Sequence, residues 1–248
     1  MNTDIPQPYT PAPDLLRGRR ILITGAGDGL GRATAIACAQ HGATVVLLGR
    51  TVKKLEAVYD EIEKIGGPAP AIYPLHLGGA SWTDYFELAS TLERELGGLD
   101  GLLHCAAHFK NFSPLYDIEP KDWIEGLQVN LTAAFSLTRH CLPLLTQSAD
   151  ASIVFVSDRQ GHEPRAFGGI YAISKAGVEH MAAIWAQELA THPRLRVNRY
   201  TPPPMRTAIR LKGYSGELPE QVPPPEQAVS PLLWLLGPDS QGHSGGAY

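Results

Sequence analysis

The run Thr24-Gly25-Ala26-Gly27-Asp28-Gly29-Leu30-Gly31-Arg32 places a glycine at every second position, directly after the apolar stretch Ile21-Leu22-Ile23 and before an alanine-rich segment. An apolar strand that turns through glycines into a helix lets bare backbone approach a pyrophosphate, whose charge the helix N-terminus favours. Such a turn can also serve plain strand-to-helix packing. Its position after the first strand of an alternating chain favours dinucleotide binding, with Thr24, Gly25, Gly27, Asp28, Gly29, Leu30 and Gly31 as candidate contacts. The second apolar run ends Leu47-Leu48-Gly49-Arg50-Thr51. A carboxylate here would hold an adenosine ribose hydroxyl, but Gly49 has no side chain and Arg50 supplies a guanidinium that can grip a 2′-phosphate. This reading prefers NADP(H) over NAD(H); an Arg merely solvated at a strand end is the plainer alternative.

Outward from that loop, short β-rich runs at 21–24, 44–48, 71–75, 99–105, 153–157 and 195–200 alternate with helical patterns at 29–40, 52–65, 82–96, 120–145 and 171–190. The alternation predicts an α/β fold with a parallel sheet and crossover helices. Continuous apolar strands fit burial on both faces. Residues 201–226 carry seven prolines, which predicts a substrate lid without regular structure, followed by a short helix over 226–236. The 248 residues form one domain from residue 15 onward, after a polar, proline-containing extension over 1–14. A formal net charge of −4, with no long run of one sign, argues against nucleic acid or an anionic membrane as partner. No stretch reads as a signal peptide or a membrane span. Three widely separated cysteines, Cys38, Cys105 and Cys141, suit a reducing cytoplasm.

Tyr171-Ala172-Ile173-Ser174-Lys175 puts a phenol and an ammonium four residues apart, on one helix face. Together with Thr24-Gly25-x-x-x-Gly29-x-Gly31 and Asn130 of the Val129-Asn130 pair, it closely resembles the short-chain dehydrogenase/reductase (SDR) family over nearly the whole chain. It is most similar to a subgroup of bacterial NADP-type reductases of unknown substrate. The resemblance implies a single Rossmann-fold domain, a doubly wound parallel sheet of six or seven strands with helices on both faces. It implies a small-molecule carbonyl or alcohol substrate, with Tyr171 as general acid in reduction and base in oxidation. Lys175 would lower the Tyr171 pKa and bind the nicotinamide ribose, and Asn130 would position a water linking Lys175 to solvent. The long helices over 120–145 and 171–190 would pair across a two-fold axis, giving a homodimer or homotetramer.

Four departures lie near the expected cofactor. The family's serine thirteen residues before the tyrosine is Asp158, which when ionised cannot donate to a substrate oxygen and would repel an oxyanion. The Asn-Asn-Ala-Gly segment is His104-Cys105-Ala106-Ala107, so the second Asn's amide contacts are lost at Cys105. The Asp after the third strand is His76, next to Leu77. The Pro-Gly after the sixth strand is Pro202-Pro203, and Pro203 has no N–H to give. His104-Cys105-x-x-His108 reads as packing and loop residues, with no metal expected. Catalytic candidates are therefore Asn130, Asp158, Tyr171 and Lys175; His76, Leu77, Cys105, Ala106, Ala107, Pro202 and Pro203 join the cofactor candidates. The alternative is a nucleotide-binding or regulatory protein of this fold whose turnover those departures have weakened.

Overall fold

The computed structural model describes Ile5 and residues 9–248; the rest of the extension over 1–14 lies outside the described residues. Six parallel strands, β1 Arg20–Thr24, β2 Thr44–Gly49, β3 Ala71–Pro74, β4 Gly101–His104, β5 Ala151–Val156 and β6 Leu195–Tyr200, form one sheet in the order β3-β2-β1-β4-β5-β6. Along β1, Ile21 and Ile23 enter one core while Leu22 enters the other, and β2 and β5 alternate in the same way. Both faces are therefore buried, which is why the strands read as unbroken apolar runs. The helices α1 Gly29–Gln40, α2 Val52–Lys64 and α8 Ser230–Leu236 contribute to the first core, while α3 Trp82–Leu96, α5 Ala133–Gln147 and α6 Gly169–Glu188 contribute to the second. Among the described residues, β6 also makes a parallel bridge, from Arg199 to Ala247. Among the described residues no helix is long and apolar enough to cross a membrane.

Four expectations need correction. The strand predicted over 99–105 is four residues long, because the Cys105 N–H is taken by the Thr24 hydroxyl at 3.0 Å instead of by a neighbouring strand. The helix predicted over 120–145 is broken into α4 Pro120–Leu127, a π-helical turn Gln128–Thr132 and α5. Such a turn inserts a wider hydrogen-bonded ring and re-aims its side chains, a common device at functional sites. The proline-rich segment is not devoid of regular structure: its prolines fall at 202–204 and 219–225, and the interval between them holds a short helix, α7 Ala208–Gly213. Thr207 caps it by accepting from the Arg210 N–H at 3.2 Å. The last predicted helix starts later than residue 226, as α8, after a 3-10 turn over Pro225–Ala228.

Candidate active site

Loops from the C-terminal ends of all six strands surround one cleft of about 1320 Å³. Ligands bind at this edge of open α/β sheets because the strand order reverses there and the loops part. At one end lie Gly25, Gly27, Asp28, Gly29, Leu30 and Gly31. A Cβ on Gly25 would sit 2.9 Å from the Ala106 Cα, and one on Gly31 would sit 2.4 Å from the Gly25 carbonyl oxygen. Only glycine allows those backbones to close up while the turn stays open to the cleft, so the cradle fits a diphosphate. Asp28 caps α1 by accepting from the Gly29 N–H at 2.7 Å and holds Lys54 at 2.5 Å. Burial works against its ionisation, yet the Lys54 ammonium and the Gly29 N–H hold its carboxyl below the usual range.

Gly49 and Arg50 line the same end. Arg50 is exposed and carries no ion pair among the described residues, and Thr51 opens α2 without a side-chain cap bond. A cation and an uncapped helix N-terminus thus face one corner, a setting suited to a phosphate group. His76 and Leu77 follow β3 along the wall, and Cys105, Ala106, Ala107, Pro202 and Pro203 continue it. Burial pushes the Cys105 thiol up to about 12, against the pull of the Lys175 charge. His104 is withdrawn from the cleft: its Nε2 lies 2.8 Å from the Thr138 hydroxyl and its ring stacks on Phe155. Burial pushes that imidazole down to about 3, so it stays neutral.

Two candidates do not reach the cleft. The Thr24 hydroxyl accepts from the N–H groups of Cys105 and Ala106, both at 3.0 Å, and so ties the end of β1 to the loop after β4. Asn130 sits in the π-helical turn, where its Oδ1 accepts from the His108 N–H at 2.6 Å and its Nδ2 donates to the His108 carbonyl and the Ser174 hydroxyl. Both border a void of about 10 Å³ that they share with Lys175, room for about one water.

Tyr171, Lys175 and Asp158 meet at the other end of the cleft. The first two stand one helical turn apart near the start of α6. The Tyr171 hydroxyl donates to Asp158 Oδ2 at 3.2 Å, while Asp158 Oδ1 accepts from the Gln160 N–H at 2.9 Å and caps a 3-10 turn. Ser157 turns away and donates to Glu179 at 2.6 Å, an oxygen also within 3.0 Å of His162 Nδ1. Lys175 Nζ donates to the Val156 carbonyl at 2.8 Å and lies 5.7 Å from the centre of the Tyr171 ring. Burial, then the Asp158 charge and hydrogen bond, push the Tyr171 hydroxyl well above the ordinary phenol range. Burial lowers Lys175, and the Cys105, Asp158 and Glu179 charges work against that shift. Sequence reasoning missed Lys54 beside Asp28, and Phe109, Phe112, Arg210 and Tyr214 on this wall. They come from three separate segments, and no spacing in the sequence links one segment to another; the two phenylalanines three residues apart in a loop, and Arg210 four residues before Tyr214, were the available signals.

Comparisons with known proteins relate the chain to a family and to solved structures. The family description "short chain dehydrogenase" matches residues 19–217. The oxidoreductase YciK of Escherichia coli K12, of uncharacterized function, is 39% identical over 237 residues, covering 96% of this chain and 93% of its own. A structure from Pseudomonas syringae assigned as a short chain dehydrogenase superposes with a TM-score of 0.94 at 44% identity, covering 96% of this chain and 97% of that one. Another so assigned, from Escherichia coli CFT073 and solved with NADPH, gives a TM-score of 0.93 at 39% identity, with 96% and 98% covered.

Proposed function

The chain belongs to the short-chain dehydrogenase family of oxidoreductases, and from that premise we propose that it interconverts a carbonyl and an alcohol with NADP(H), Tyr171 passing the proton. The observation that carries this reading is the convergence, on one cleft, of a glycine cradle, the exposed Arg50 guanidinium and the Tyr171–Lys175 pair. Gly25, Gly27, Gly29 and Gly31 would hold the diphosphate and Arg50 the 2′-phosphate. NADPH, when bound, supplies a hydride to a carbonyl carbon. The chain's part is the proton. Tyr171 turns its hydroxyl from Asp158 to the substrate oxygen and gives up the proton, and the Lys175 ammonium offsets the charge left on the phenolate. Asn130 holds the backbone at His108 and the Ser174 hydroxyl, keeping α6 and the loop after β4 in register around the void beside Lys175. Fluorescence titration tests the cofactor choice. NADPH is expected to bind at least about tenfold more tightly than NADH, a gap of about 1.4 kcal/mol, and Arg50→Ala is expected to erase it. Equal affinities in the parent protein overturn the role given to Arg50.

A second reading, a nucleotide-binding protein of this fold with weakened turnover, is favoured by Asp158. Its carboxylate stands where a donor to the substrate oxygen would be useful, and it engages the proton of Tyr171 itself. Asp158→Ser separates the two: activity on a carbonyl panel at neutral pH well above the parent's supports weakened turnover, and no gain supports the first reading as it stands.

A further inference from the structure

We infer that the reacting end of the cleft takes carbonyl compounds with a planar aromatic body and no carboxylate beside the carbonyl, an assignment that rests on Tyr171 as proton donor. The wall there is a chain of rings. Tyr171 meets Phe109 edge to face at 5.3 Å between centroids, Phe109 meets Phe112 at 5.1 Å, and Phe112 meets Tyr214 at 5.5 Å. This chain runs from the proton donor to the far side of α7, and all four residues line the cleft. Phe109 is buried, Phe112 is half-buried and Tyr214 is 43% exposed, so the open part of this wall is ring surface. Gly213 keeps α7 close to this wall: a Cβ there would fall 2.9 Å from the Phe112 ring.

A further ring stands at the mouth. Phe167 lines the cleft, is 59% exposed, and sits at a φ of 68°. An aromatic residue in the left-handed region is costly and persists where its surroundings fix it; here its carbonyl accepts from the Ser113 N–H at 3.0 Å. The segment 105–119 and the segment before α6 are thereby stitched together with a solvent-facing phenyl ring at the cleft entrance. Ring faces and edges bind planar π systems by offset or edge-to-face contact better than they bind saturated bodies of the same size. The Arg210 guanidinium stacks over Tyr214 at 4.5 Å and is closed off by Glu217 at 2.6 Å, so that this cation is already neutralised. Next to the reacting position lies the Asp158 carboxylate, 3.2 Å from the Tyr171 hydroxyl. A substrate that puts its own carboxylate on the carbonyl carbon would bring two like charges together in a partly dry site, so 2-keto acids are disfavoured.

Steady-state assays of the NADPH-loaded enzyme test this with three compounds: 2-acetylnaphthalene, its fully saturated decalin counterpart, and 2-naphthylglyoxylate. The naphthyl ketone is expected to have kcat/KM at least about tenfold above each of the other two. Phe112→Leu and Tyr214→Leu are expected to raise KM for the naphthyl ketone about fivefold and KM for the decalin ketone by clearly less, because the ring contacts specific to a planar body are lost along with general apolar contact. Equal kcat/KM for the naphthyl and decalin ketones, or variants that shift both alike, overturns the aromatic assignment. Efficient reduction of the glyoxylate overturns the charge argument. If none of the three is reduced, the oxidoreductase reading of Tyr171 fails separately, and calorimetric titration of the NADPH-saturated protein decides the rest: naphthyl binding tenfold tighter than decalin upholds the aromatic wall, and equal binding overturns it.

Discussion

Tyr171 can act as an acid only if its surroundings tolerate the phenolate left behind. Its hydroxyl is buried and donates to Asp158, and both facts favour the neutral phenol and push its pKa up. Reduction, which consumes the phenol's proton, starts from the correct form at neutral pH. Alcohol oxidation needs the phenolate and is held back until the pH is high. Replacing the charge by Asp158→Asn lowers Tyr171 toward the ordinary phenol range, so the alkaline rise in oxidation rate is expected at lower pH than in the parent. Rate profiles from pH 7 to about 11, read as the rise of oxidation rate with pH in parent and variant, check this, and an alkaline limb that stays in place removes Asp158 from the mechanism. Tyr171→Phe keeps the ring contact with Phe109 and loses only the hydroxyl. It is expected to lower reduction by at least about a hundredfold while NADPH affinity stays within about twofold. Stopped-flow turnover beside fluorescence titration reads both, and a variant that keeps most of its turnover points to another proton source.

At the scale of elements, the sheet is pinned at its N-terminal edge by charge. Asp150, just before β5, binds Arg19 at 2.5 Å and also Arg196 of β6, whose side chain is only 3% exposed. Burial works against the Asp150 charge, but the guanidiniums of Arg196 and Arg19 hold its carboxyl below the usual range. A depressed carboxyl pKa contributes stability that is fully present above the unfolded value of about 3.9 and is lost as pH falls through the folded value. Asp150→Ala is therefore expected to cost about 3 kcal/mol at neutral pH, since it strands two guanidiniums, and to flatten the acid limb of stability below about pH 4. Urea unfolding from pH 7 down to pH 3 measures both. These elements also mark where sequence reading stops. The strand runs and the helices starting at Gly29, Val52 and Trp82 were legible because apolar period and glycine placement are local. The π-helical turn at Gln128–Thr132 was not, since a continuous apolar helix pattern carries no mark of one wider ring. The glycine cradle, Arg50 and the Tyr171–Lys175 spacing were readable as motifs. That Thr24 and Asn130 act behind the wall, and that Phe112 and Tyr214 form it, depends on contacts between distant segments that no motif encodes.

For the whole molecule, one helical flank outside the cleft carries a cluster of exposed large apolar side chains. That flank carries Trp82 and Phe86 of α3, Phe135 of α5, and Ile184 of α6, exposed by 50%, 62%, 37% and 45%. They are not scattered. Trp82 packs edge to face on Phe135 at 6.0 Å, Phe135 stacks on Trp185 at 6.2 Å, and Arg139 lies over the Trp82 ring. A contiguous aromatic ridge of this kind on a chain with a net charge of −4 is costly in water unless something covers it. A two-fold partner presenting the same ridge covers it with its own copy and closes the assembly, whereas a heterologous contact would leave one ridge open and go on adding copies. The molecule is therefore expected to be at least a homodimer through α5 and α6. Multi-angle light scattering at micromolar concentration should give twice the chain mass or a higher even multiple. Phe135→Glu with Ile184→Glu puts two carboxylates into each half of that ridge and is expected to yield monomers that still bind NADPH, since neither residue borders the cleft. A parent protein that is monomeric, or a double variant that keeps the parent's mass, places the interface elsewhere.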